Sequence, residues 1–234
     1  MHRGAVAYTL RLGLLATCIL AVVACGGGGG GAGGGRAEVE KEVAKARKVP
    51  DYGELRPGQY ITEKFEPAFS FRVVDEGWVL RGSEERSLVE MSQGVAGPLV
   101  AFVNADQVFN PSKVRELDSM SAPEDMVVWL QRHPYLKPNH PHSAAVGGVE
   151  GARLDAVVAS VPATECGGNC LGLFTTSDRT YDWVVFEKEK LRFIVLGNVE
   201  GEGVIIALEA PAGDIEEFLP KAQKVLDTVE WKGE

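Results

Sequence analysis

Phe69, Phe71 and Val73 alternate with Ser70 and Arg72 in residues 68–73 (AFSFRV), the period of two that buries one face of a β-strand. Glu76 and Gly77 then supply a turn ahead of Trp78 and Leu80. Further apolar or alternating runs predict strands at 88–91, 99–103, 144–146, 152–160, 183–186, 191–196 and 204–208. The last two flank 197–203 (GNVEGEG), whose residues tolerate positive φ, so a hairpin is expected there. Two segments carry helical spacing instead. In 121–133, Ser121 and Glu124 form a capping box, Pro123 falls in the first turn, and Met126, Val127, Trp129 and Leu130 share a face before Pro134 ends the helix. In 214–226, Ile215, Phe218, Leu219, Ala222, Val225 and Leu226 recur at helical spacing, and Pro220 inside the pattern predicts a kink or fresh start near Leu219. Residues 228–231 read as short and extended. Strands outnumber helices, so the expected fold is α+β, an antiparallel-rich sheet flanked by helices.

The apolar run that does not fit this pattern lies at the start. Arg3 and Arg11 precede 12–23 (LGLLATCILAVV), about 12 residues where a membrane-spanning helix needs about 20, which is the layout of a secretory signal. Val22-Val23-Ala24-Cys25 follows, and it resembles the lipobox of bacterial lipoproteins. That resemblance implies cleavage after residue 24, a diacylglyceryl group on the Cys25 thiol, and a home on the extracytoplasmic face of the cell membrane. Glycine fills 26–35 apart from Ala32, and a charged stretch (EVEKEVAKARK) follows, so 25–50 reads as a tether with an r.m.s. reach of about 25 to 30 Å. The chain thus divides into a signal peptide (1–24), a tether (25–50) and a single α+β domain (51–234), in which no glycine-rich or charge-run linker recurs.

Composition changes the picture in two ways. With 45% hydrophobic and 24% charged residues, the 234-residue chain is neither disordered nor polytopic. The first 24 residues hold two Arg and no acid, so cleavage leaves 22 basic against 33 acidic side chains, a formal charge of −11. Such a chain does not suit nucleic acid as a partner, and attachment to the membrane must come through the N-terminal lipid.

The body carries a second resemblance. Phe65, Pro67, Phe69-Ser70-Phe71, Val73 and Gly77-Trp78, then Val146-Gly147-Gly148 leading into a long strand, then 225–231 (VLDTVEW), resemble the PsbP-like fold. That fold includes extrinsic proteins of photosystems, small Ran-binding proteins and actinobacterial lipoproteins of the LpqN type. It implies an α/β/α sandwich over residues 58–231 and a binding or assembly role, and it brings no catalytic residue with it. The stretch 106–141, with its helix and His-Pro segment, is longer than a minimal connection requires.

Candidate chemistry is sparse. Cys166 and Cys170 are separated by Gly-Gly-Asn, a spacing open to a loop-stiffening disulfide, a redox pair or half a zinc site. In an exported chain without a second Cys or Cys/His pair nearby, the disulfide is the expected reading. Three of the four His lie in 133–142 (HPYLKPNHPH). His140 and His142 could reach one metal across Pro141, yet a proline-stiffened surface arm is the expected reading, with Tyr135, His140 and His142 as an interaction surface and no metal or cofactor. The acidic pairs Glu84-Glu85 and Glu124-Asp125 read as solvated, and hydrolase, zincin, P-loop and dinucleotide motifs are missing. The expected function is a non-catalytic binding module for a protein or envelope component. The alternative is a carrier of a small apolar or lipid ligand, which needs a deep apolar pocket of several hundred Å³.

Overall fold

A computed structural model describes residues 46–113, 118–161, 170–176 and 182–233; Cys25, Cys166 and the segment 1–45 lie outside the described residues. The elements below all fall in the compact unit Val43–Glu234. Strands β1 (Arg47–Lys48), β2 (Gly53–Leu55), β3 (Gly58–Ile61), β4 (Phe69–Val73), β5 (Trp78–Leu80), β6 (Leu88–Gln93), β7 (Leu99–Val103), β8 (Gln107–Phe109) and β9 (Ser119–Ser121) precede helix α1 (Met126–Arg132). Then come β10 (Leu136–Pro138), β11 (His142–Val146), β12 (Val149–Val158), β13 (Cys170–Thr175), β14 (Asp182–Phe186), β15 (Glu189–Val199), β16 (Glu202–Pro211), α2 (Ile215–Leu226) and β17 (Glu230–Trp231).

The fold is α+β with antiparallel sheets, built in three layers. A central sheet runs β10-β12-β15-β16-β7-β6-β5-β2, with β11 also paired to β12. Its middle strands alternate apolar residues onto both faces: Val100 and Phe102 of β7, with Ile206 and Leu208 of β16, enter one core, while Ala101, Val103, Ile205 and Ala207 enter the other. This is why 99–103 and 204–208 read as unbroken apolar runs. The first core is closed by α2 and by the sheet β1-β3-β4-β17, the second by α1 and by the sheet β14-β13-β8-β9. Each covering layer therefore combines one helix with a small sheet, where the sequence pattern foresaw helices alone.

The resemblance motifs meet in the first core. Phe69 packs against Phe102 (centroids 4.3 Å apart) and Trp231 (5.3 Å), and Trp231 Nε1 donates to the Val146 carbonyl at 3.0 Å. Gly147 turns beneath that indole at φ 58°, where a Cβ would stand 2.6 Å from the Trp231 ring. Trp78, fully buried, faces Phe218 of α2 at 6.1 Å. Each buried aromatic of this group contributes on the order of 2 kcal/mol through removal of apolar surface from water. FSF, GW, VGG and VEW are thus one packing unit.

Several boundaries differ from expectation. Helix α1 begins at Met126, capped by Asp125, whose Oδ1 accepts from the Val128 amide at 2.9 Å. Ser121 cannot cap it because its backbone ends β9, opposite Gln107. Helix α2 continues across Pro220. Strands β15 and β16 extend into 197–203, leaving Glu200 and Gly201, both at positive φ, as the turn. The stretch 106–141 is structural: β8 and β9 belong to a covering sheet, and β10 is an edge strand of the central one.

Candidate functional site

The face of the central sheet that carries the second core runs on past its cover near the β15–β16 turn. There the sequence places small residues on the floor: Gly151 and Ala152 of β12, Gly203 of β16 and Gly197 of β15, beside Val195 and Ile205. The result is an open cleft of about 810 Å³ between the sheet and the segment that enters α1. Gly151 is demanded by packing, since a Cβ there would collide with the Val195 carbonyl. Gly197 and Gly203 are not: neither has a positive φ, and a Cβ on either would meet nothing within 4 Å. Their missing side chains leave the space open.

Asp106, Glu124, Asp125 and Glu202 rim this cleft, and no Lys, Arg or His lines it among the described residues. Asp125 is committed to capping α1. Glu124 and Asp125 are exposed, as their sequence context implies, and their convergence with Asp106 and Glu202 is not visible in the local pattern because the cleft draws on five separated segments.

The segment proposed as an interaction surface is split. Tyr135 is half-buried against the second core with its ring 6.0 Å from that of His133, while Leu136 is buried. His140 and His142 are exposed on the central sheet's edge, where the Asn139 amide donates to the Asp155 carbonyl and the Asn139 side-chain Oδ1 accepts from the Asp155 amide, each at 2.8 Å. Only the two histidines are displayed. Cys170 is buried at the start of β13, and its expected partner Cys166 lies outside the described residues.

Two buried groups have strongly displaced proton affinity, and neither lines the cleft. His133 is 4% exposed, meets the Trp129 ring edge-on with centroids 4.9 Å apart, and has neither ring nitrogen hydrogen-bonded; burial lowers its pKa to about 4. Glu209 of β16 is pushed up to about 10, first by burial, then by its hydrogen bond and repulsion with Glu189 and by Glu90, against the pull of Arg81. A second buried acid, Glu84, is 5% exposed, against the expectation that the pair Glu84-Glu85 is solvated. Its Oε1 accepts from the backbone amides of Glu63, Lys64 and Phe65 at 2.6, 2.6 and 2.9 Å, so it organises a loop. No group of three or more His, Cys, Asp or Glu able to hold a metal occurs among the described residues, and no helix among them is long and apolar enough to cross a membrane.

No family model matches the chain, and no curated protein matches it in sequence. Among solved structures it is similar to the crystal structure of LpqN, a protein involved in cell envelope biogenesis of Mycobacterium tuberculosis, at 12% identity over 76% of this chain and 93% of that chain, with a TM-score of 0.34.

Proposed function

We propose that this chain is a lipoprotein, acylated at Cys25 on the extracytoplasmic face of the membrane, whose domain works by binding and not by catalysis. The cleft is the observation that carries the binding role. At about 810 Å³ it lies within the roughly 300–1,000 Å³ range of small-molecule sites, and its floor is mainly apolar. The displaced titratable groups that a catalyst would place beside its substrate, His133 and Glu209, lie elsewhere in the fold. Of the two occupants left open by the sequence, a protein partner and a small ligand, the shape of the cleft favours the small ligand. The exposed His140 and His142 keep the edge strand available to a protein partner as a second surface. A Cys166–Cys170 bridge would stiffen the entry to β13.

Native mass spectrometry of the mature protein released from membranes tests this reading. The expected result is a retained small molecule that is lost from the Gly203→Leu variant while the melting temperature stays within about 2 °C, because Leu at 203 fills open space without backbone strain. Ligand-free masses for both proteins, each equal to its own polypeptide with its acyl group, would remove the cleft as the functional site.

A further inference from the structure

The charge around the cleft narrows its occupant. Glu124, Asp125 and Glu202 stand at the rim with no cationic side chain among the lining residues described, in a chain whose formal charge is −11 once residues 1–24 are removed. Such a field repels an anionic ligand and concentrates a cationic one at the mouth. The floor beneath is apolar or backbone: Ala152, Val195 and Ile205 provide hydrocarbon, and Gly197 and Gly203 leave room for the ligand's bulk.

From the juxtaposition of an open apolar floor with a rim whose charged side chains are all acidic among the described residues, we propose that the cleft takes a small amphiphilic organic cation, an ammonium or guanidinium group on an apolar body. The apolar part lies along β12, β15 and β16, and the cationic group stays at the mouth near Glu124 and Glu202, where it keeps part of its hydration. Full burial of either charge would cost more than the pairing returns, so a rim position is the arrangement that gains from both features. Asp125 attracts at longer range while its carboxylate remains on the Val128 amide. This inference rests on the cleft being the binding site and adds the chemistry of the ligand.

Three probes with the same tail separate charge from hydrophobicity: octyltrimethylammonium, octanol and octanoate, titrated into the mature protein by calorimetry at low and high salt. The cation is expected to bind one-to-one at least tenfold more tightly than octanol, to lose several-fold in affinity at 0.5 M salt, and octanoate to bind more weakly than either. The double variant Glu124→Gln/Glu202→Gln, both exposed positions, should weaken the cation about tenfold and leave octanol unchanged; Gly203→Leu should weaken both probes. Equal affinity for cation and alcohol, preference for octanoate, an unaltered cation affinity in the double variant, or no binding of the cation would each overturn the proposal. A ligand retained by the natural protein and lost from Gly203→Leu, together with any of those outcomes, would sink the cationic assignment and leave the binding role standing.

Discussion

Glu84 shows what a single position can hide. Its neighbour Glu85 is exposed, and nothing in the local pattern separates the two acids, because the amides that Glu84 serves lie about 20 residues earlier in the chain. One carboxylate oxygen satisfying three amides stabilises more than a neutral bond would, and removing it leaves buried donors unpaired. Glu84→Ala should cost about 3 kcal/mol in urea unfolding at pH 7, and Glu84→Gln, which keeps an acceptor, should cost less; a loss below about 1 kcal/mol for the Ala variant would show that the loop holds itself. Glu209 makes the opposite prediction. Its folded pKa of about 10 exceeds the ordinary 4.5, so the native state holds a proton that the unfolded chain releases above pH 4.5. The stability this gives is complete below pH 4.5 and falls as pH rises toward 10. Glu209→Gln removes the dependence, so the variant should match the natural protein near pH 4.5 and melt at least 5 °C higher at pH 8.5. His133 has the reverse sign: with a folded pKa of about 4 below the usual 6.5, it adds no pH-dependent cost above pH 6.5 and costs up to about 3 kcal/mol as pH falls toward 4. In a natural-minus-variant difference at Glu209, that acid-side loss cancels.

At the scale of elements, long strands were legible and short ones were not. The runs at 69–73, 99–103 and 204–208 declare themselves through alternation or continuous apolarity, since five or more residues sample both faces of a sheet. Strands β8, β9 and β10 have three residues each, too few to display a period, so the pattern shows 106–141 only as a long connection with one helix. The same shortness misplaced the start of α1: Ser121, Pro123 and Glu124 make a plausible capping box, but pairing of β9 with β8 takes the backbone of Ser121, and Asp125 caps one turn later. These reassignments change what Tyr135 can do. Positioned between α1 and β10 and half-buried beside His133, it belongs to the second core more than to a displayed arm. Tyr135→Ala should therefore lower the melting temperature by several degrees, about 1–3 kcal/mol, whereas the double variant His140→Ala/His142→Ala should leave it within about 1 °C. A Tyr135→Ala protein as stable as the parent would restore the displayed-arm reading.

For the whole molecule, the sequence pattern sufficed for the class of fold but not for the cleft, which needs Gly151, Val195, Ile205 and the entry to α1 to meet across the chain. The proposed address, by contrast, rests on a local signal: four residues, Val22-Val23-Ala24-Cys25, after a short apolar run. These two parts of the chain constrain one another. In the proposed mature protein a formal charge of −11 makes adhesion to anionic headgroups unfavourable, so the proposed lipoprotein reading rests retention on acyl chains, two or more of which hold stably. Replacing one thiol should then suffice to detach everything. Cys25→Ala is expected to block cleavage after residue 24 and to shift the protein out of its normal membrane fraction, as read by N-terminal mass mapping and fractionation with acyl-chain labelling. Because Cys25 lies outside the folded unit Val43–Glu234, the purified variant should keep the melting temperature of the parent domain, so misplacement cannot be blamed on misfolding. A Cys25→Ala protein that is cut at the same bond and remains membrane-bound would mean that something other than a lipid on this residue holds the domain in place.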